Sequence, residues 1–100
     1  MQHKLIMTWD ITTGKEQEYF DFLIHTYVPR MNQLGFELTD AWATIYGDEP
    51  QVMVTAVLPD EPEAERRMSQ NDWHVLIDQL EDYVDNLEMK LVPLREGFQF

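Results

Sequence analysis

The strand-like stretches of this sequence lack a polar face. In residues 4–12 (KLIMTWDIT), Leu5, Met7, Trp9 and Ile11 point one way, and the other side still carries Ile6 beside Thr8. Residues 36–46 (FELTDAWATIY) set Leu38, Asp40, Trp42, Thr44 and Tyr46 against Thr39, Ala41, Ala43 and Ile45. Residues 51–58 (QVMVTAVL) set Val52, Val54, Ala56 and Leu58 against Met53, Thr55 and Val57. A strand alternates its side chains between two faces, so a sheet with one solvated face reads polar at every second position. A sheet built from these strands is apolar on both faces and needs two covers, because a contiguous apolar patch of roughly several hundred Å2 is rarely left in water.

One cover is legible in the chain itself. Thr13 opens a helix, with Glu16 three residues on completing a capping box, and the helix runs to about Leu34, where Gly35 stops it. Its apolar stripe is Tyr19, Phe20, Leu23, Tyr27, Met31 and Leu34; Pro29 falls inside and should kink the helix or end its regular part early. Asp60 caps a short helix over 61–69. Asn71 caps the next, whose stripe is Trp73, Leu76, Ile77, Leu80, Tyr83, Val84 and Leu87. Residues 88–94 (EMKLVPL) read as a last strand, with Pro93 at an edge or strand end. The short link Gly47–Pro50 joins two strands into an antiparallel hairpin. The order β-α-β-β-α-β predicts an α+β, ferredoxin-like protomer: a four-stranded antiparallel sheet, helices on one face, one domain over residues 1–100. The second cover is then another subunit or a ligand. A homodimer through the sheet face, with closed two-fold symmetry, is the simplest solution.

Charge narrows the partners. Seven Lys and Arg stand against 19 Asp and Glu, a net charge of −12. That argues against nucleic acid and anionic membrane surfaces, both of which require clustered cations. No apolar run approaches the ~18 residues of a membrane span, and the N-terminal residues show no signal-peptide core, so the expected compartment is the cytoplasm. The chain has no cysteine, hence no disulfide or thiolate chemistry.

Few residues stand out chemically. Asp40 shares a strand face with Trp42 and Tyr46, and a carboxylate in an aromatic-lined cavity can serve as a general acid or base; the alternative is a strand-end or bulge residue near solvent. Trp9, Trp42, Tyr46, Met7 and Met53 are candidate walls for an apolar ligand inside a barrel; the alternative is that they fill a dimer interface. Arg30 lies in the first helix's stripe, where it would bind an anionic group unless the Pro29 kink turns it to solvent. His3, His25 and His74 lack metal-site spacing, and the remaining acidic runs read as solvated helix faces, so no metal site is expected. No phosphate loop, dinucleotide fingerprint or triad order is present, so no cofactor is expected. Phe98 and Phe100 near the terminus suggest docking of some kind.

Several short pieces together resemble the NIPSNAP-like branch of the dimeric α/β-barrel superfamily. They are Trp9-Asp10-Ile11-Thr12-Thr13-Gly14-Lys15, Tyr27-Val28-Pro29, Ala41-Trp42-Ala43-Thr44-Ile45-Tyr46-Gly47-Asp48 leading into Gln51-Val52-Met53-Val54, and Asn71-Asp72-Trp73. The resemblance spans nearly the whole chain. It implies a ferredoxin-like protomer and a dimer whose two sheets meet in a barrel. It implies no single activity, because the superfamily holds monooxygenases, isomerases, cyclases and haem-handling proteins. Two readings follow. In one, a small organic molecule sits in the barrel, with Asp40 as acid–base in a cofactor-independent monooxygenase, isomerase or cyclase. In the other, the chain is a non-catalytic interaction or stress-associated domain.

Overall fold

The computed structural model describes residues 1–43 and 51–94. The four strands are β1 (His3–Ile11), β2 (Glu37–Ala43), β3 (Val52–Leu58) and β4 (Val84–Pro93). They form one antiparallel sheet in the order β2-β3-β1-β4, the ferredoxin-like arrangement expected from the sequence. The hairpin link and Tyr46 lie outside the described residues, as do Thr44, Ile45, Phe98 and Phe100.

Leu5, Met7 and Trp9 of β1 are buried with Ala56 and Leu58 of β3 against the helices. The helical side contributes Tyr19, Tyr27, Met31, Trp73, Leu76 and Leu80, all buried. Phe36 stacks on Trp73 at 4.8 Å between ring centroids. Among the described residues nothing covers the opposite face of the sheet. It carries Ile6, Thr8, Met53, Val57 and Val92, part-buried, and Trp42, 60% exposed.

The first helix departs from expectation at its cap and, in part, at Pro29. Helix α1 (Glu16–Phe22) has Lys15 at its N-cap with no side-chain capping bond, so the Thr13 capping box does not form. The Glu16 carboxylate instead accepts the Gly14 N–H at 3.1 Å, just after the turn that Gly14 makes at φ +88. The regular α-helix does end early, at Phe22, though not at Pro29 itself. A π-helical turn, Leu23–Tyr27, precedes it, with the Val28 N–H bonded to the Leu23 carbonyl five residues back. Helix α2 (Val28–Gln33) then starts with Pro29 in its first turn, where a missing N–H costs least. Gly35 ends this segment at φ +87, and Arg67 donates to its carbonyl.

Asp60 caps α3 (Glu61–Met68) as expected, accepting the Glu63 N–H at 2.8 Å. Helix α4 (Asn71–Glu81) has Gln70 at its N-cap, so Asn71 is helical rather than capping. It also stops six residues before Leu87. Tyr83 takes the Thr12 N–H on its carbonyl at 3.0 Å, and Val84 pairs with Ile11, so β4 begins four residues earlier than residue 88. Val84 and Leu87 suit a helix stripe and a strand face equally; the β1 ladder decides between them.

Both edge strands carry bulges. The β1–β4 register shifts between Thr8 and Asp10, with Asn86 in the left-handed region at φ 57. Asp10 braces this end of the sheet. One carboxylate oxygen accepts the Gln51 N–H at 2.9 Å and the other accepts Asn86 Nδ2 at 3.0 Å, while the Gln51 side chain takes the Ile11 N–H at 2.8 Å. Asn86 first, then Gln51, holds the Asp10 carboxyl below its ordinary range. A depressed folded pKa contributes stability above the unfolded value that is lost as pH falls through the folded one. Asp10→Asn should therefore destabilise the protein modestly at pH 7, because the group is exposed and screened, and less at an acid pH below the ordinary carboxylate range. Urea unfolding at the two pH values checks this, and an equal cost at both would remove the ionised brace.

Candidate functional site

The second bulge shapes an apolar cleft on the helix side of β2. Leu38 pairs with Ala56, but Asp40, not Thr39, faces Thr55, and Ala41 then faces Val54. Thr39 and Asp40 thus both leave the helix side. Thr39 Oγ1 lies 2.8 Å from Thr55 Oγ1 on the open face, and Asp40 joins Trp42 and Met53 there. Two successive side chains turned away leave bare backbone between Leu38 and Ala41, and bulges recur where a strand borders a site. Across the gap stands the π turn, whose extra residue per turn widens the helix; such turns are frequent at functional sites. Between them lies a cleft of about 240 Å3, lined by Leu23, Tyr27, Val28, Leu38, Thr39, Asp40, Ala41 and Val54.

The floor is aromatic and fixed. Tyr27 is buried, and its hydroxyl donates to Met7 Sδ at 3.3 Å. Burial pushes its phenol far above the ordinary range, and neighbouring Tyr19 adds to the shift. Tyr27 is therefore a neutral wall, not a base at physiological pH. Trp9 packs edge-on to Tyr27, with centroids 5.7 Å apart, and donates from Nε1 to the Tyr19 hydroxyl at 3.0 Å. Burial raises the Tyr19 pKa, against a smaller opposing effect of that bond.

The candidates named from sequence divide between two faces. Met7 and Trp9 are 1% and 0% exposed beneath the helices, so they do not line the open face of the sheet. They belong to the core because the odd positions of β1 pair with Val54 and Val52 on the helix side. Leu38 also separates from Asp40 and Trp42, since the bulge breaks the alternation read from sequence. Asp40, Trp42 and Met53 do share the open face. Arg30 is exposed on α2 and does not line the cleft. Among the described residues no group of three His, Asp or Glu is placed to hold a metal ion, and no helix is long and apolar enough to cross a membrane. The cleft went unforeseen. Pro29 signalled an irregular helix, and a charged Asp40 inside a strand pattern allowed a bulge there, but neither pointed to a cleft between them.

No family model matches the sequence, and no curated protein matches it either. Solved structures do match in fold. A NIPSNAP family protein from Agrobacterium tumefaciens superposes with a TM-score of 0.75 at 18% identity, covering 97% of this chain and 96% of its own. SnoaB, a cofactor-independent oxygenase from Streptomyces nogalater, gives 0.67 at 16% identity, covering 96% and 95%. HapK from Hahella chejuensis gives 0.76 at 8% identity, covering 98% and 96%. At these identities the likeness is one of fold, and it supports the NIPSNAP-like architecture expected from the sequence.

Proposed function

We propose that this chain, on its NIPSNAP-like fold, works as a homodimer closed over the open sheet face, each protomer binding a small apolar or aromatic molecule in the cleft between the π turn and β2. The observation that carries the reading is the pairing of two backbone irregularities across that cleft. Neither is needed to build the sheet, and together they keep space open beside a buried aromatic floor. A cleft of about 240 Å3 lies just below the ~300–1,000 Å3 usual for ligand pockets, which suits a small molecule of one or two rings. The enzymatic form of the reading is chemistry of the kind named for SnoaB, an oxygenation that needs no cofactor. The candidate acid–base group remains Asp40, across the bulge from the cleft.

Filling the cleft tests this. Ala41 faces the cleft side of β2 and is exposed, so Ala41→Trp blocks the space without disturbing the core. With 2-naphthol as the probe, amide shifts should concentrate on residues 23–28 and 38–41, and Ala41→Trp should weaken binding at least ~10-fold. Shifts confined elsewhere, or unchanged affinity in the variant, would leave only the interaction-domain reading.

A further inference from the structure

The polar side chains around the cleft accept hydrogen bonds and have no proton left to give a guest. Among the described residues they are Tyr27, Thr39 and Asp40; the rest of the lining is aliphatic. A hydroxyl has one hydrogen to donate and two lone pairs to accept with. The Tyr27 hydroxyl gives its hydrogen to Met7 Sδ, beneath the helices. Thr39 Oγ1 lies 2.8 Å from Thr55 Oγ1 and 3.4 Å from the Thr55 carbonyl oxygen, so its hydrogen stays within the Thr39–Thr55 pair. Asp40, exposed on the edge strand β2, adds a carboxylate, which accepts hydrogen bonds and carries negative charge. No Lys, Arg or His lines the cleft among the described residues. The free edge of β2 presents backbone N–H and C=O groups alike and so favours neither sign. The net charge of −12 adds a negative field around the whole chain.

We propose that the cleft selects a small aromatic amine: the ring enters between the π turn and β2, and a protonated amine one carbon from the ring stays at the rim, where it meets the Asp40 carboxylate. This rests on the small-molecule reading above and adds the charge of the ligand to it. The bulge gives each half of such a ligand its place. Leu38 and Ala41 keep an aliphatic wall on the cleft side, while Asp40 between them turns out towards the open face. A ring packed over Tyr27 therefore has a carboxylate at the strand edge beside it and none on the floor beneath it. An ammonium left at that edge keeps much of its water, whereas one drawn onto the aliphatic lining would lose it at a large cost. An aryl carboxylate or phosphate has no such place, since it meets no side-chain donor in the lining and a like charge at the rim. The preference is modest in size, because Asp40 is exposed and water screens the pair.

Three ligands that differ at a single group test this. They are 2-naphthylmethylamine, 2-naphthylmethanol and 2-naphthoate, each titrated into the 15N-labelled chain at pH 7 and low ionic strength. The amine should bind about fivefold tighter than the alcohol and the carboxylate about fivefold weaker, with amide shifts on residues 23–28 and 38–41 in each case. Sodium chloride at about 0.5 M should draw the three affinities together. In Asp40→Asn the ratio of amine to alcohol affinity should fall to about one. Asp78→Asn removes one negative charge from the exposed side of α4, which packs against β4 at the far edge of the sheet, and should leave that ratio as it is. Cleft shifts with equal affinity for amine and alcohol, or with the carboxylate preferred, would leave the small-molecule reading standing and overturn this choice of ligand. An equal fall of the ratio in both variants would make the preference a property of the acidic surface as a whole and overturn the part given to Asp40. Absence of shifts at residues 23–28 and 38–41 with all three ligands would overturn the small-molecule reading, and this inference with it.

Discussion

Trp9→Ala should lower the unfolding free energy by about 3–5 kcal/mol, the range for emptying an aromatic site in a close-packed core. A domain of this size has about 5–15 kcal/mol in all, so the loss is a large share of its stability. Trp9 is fully enclosed, edge-on to both Tyr19 and Tyr27, and the deletion also strips the donor from the Tyr19 hydroxyl. At about 4–8 °C per kcal/mol for a short domain, the melting temperature should fall by at least about 12 °C. Thermal unfolding followed by far-ultraviolet circular dichroism is the check. A fall of only a few degrees would mean that the Trp9 site collapses freely and is not the rigid centre of the core.

Trp42→Arg should do the opposite, sparing the protomer and breaking the assembly. The side chain is the most exposed large aromatic among the described residues and lies on the uncovered sheet face. An exposed substitution away from special features moves protomer stability within about 0.5 kcal/mol. A tryptophan buried in an interface, with a charge put in its place, is worth about 2 kcal/mol, hence about 30-fold in the dissociation constant of the proposed dimer. Sedimentation should show native protein as a dimer and the variant as a monomer at micromolar concentration, with identical circular dichroism. A variant that remains dimeric would move the interface off this face.

The order of elements was legible because period-2 and period-3.6 patterns alternate cleanly, with turns between them. The uncovered apolar face was legible for the same reason: Ile6, Met53 and Val57 occupy positions a solvated sheet would fill with polar residues. What failed were boundaries and parity. Val84 and Leu87 satisfy either period, and the pairing of Val84 with Ile11 and of Tyr83 with Thr12 turns the chain out of α4 into β4 before either can extend the helix. Asp10 takes its two hydrogen bonds from Gln51 and Asn86, far along the chain, so no local pattern could show the brace.

The candidate site shows the same division more sharply. Alternation places Leu38, Asp40 and Trp42 on one face, and a single extra residue at Thr39 overturns that for Leu38. A bulge is chosen by the competition between two registers of the β2–β3 ladder, and local propensity barely enters. The π turn likewise lies between Tyr19 and Pro29, and both Tyr19 and Tyr27 are buried around it. By itself the sequence determined the fold class, the acidic surface and the presence of a second apolar face, since all three follow from side-chain type repeated at a fixed period. Tertiary structure alone decided which aromatic residues are core and which are open, and where the cleft lies. Those outcomes depend on how strand registers and helix turns fit one another, which no repeating pattern in one segment can encode.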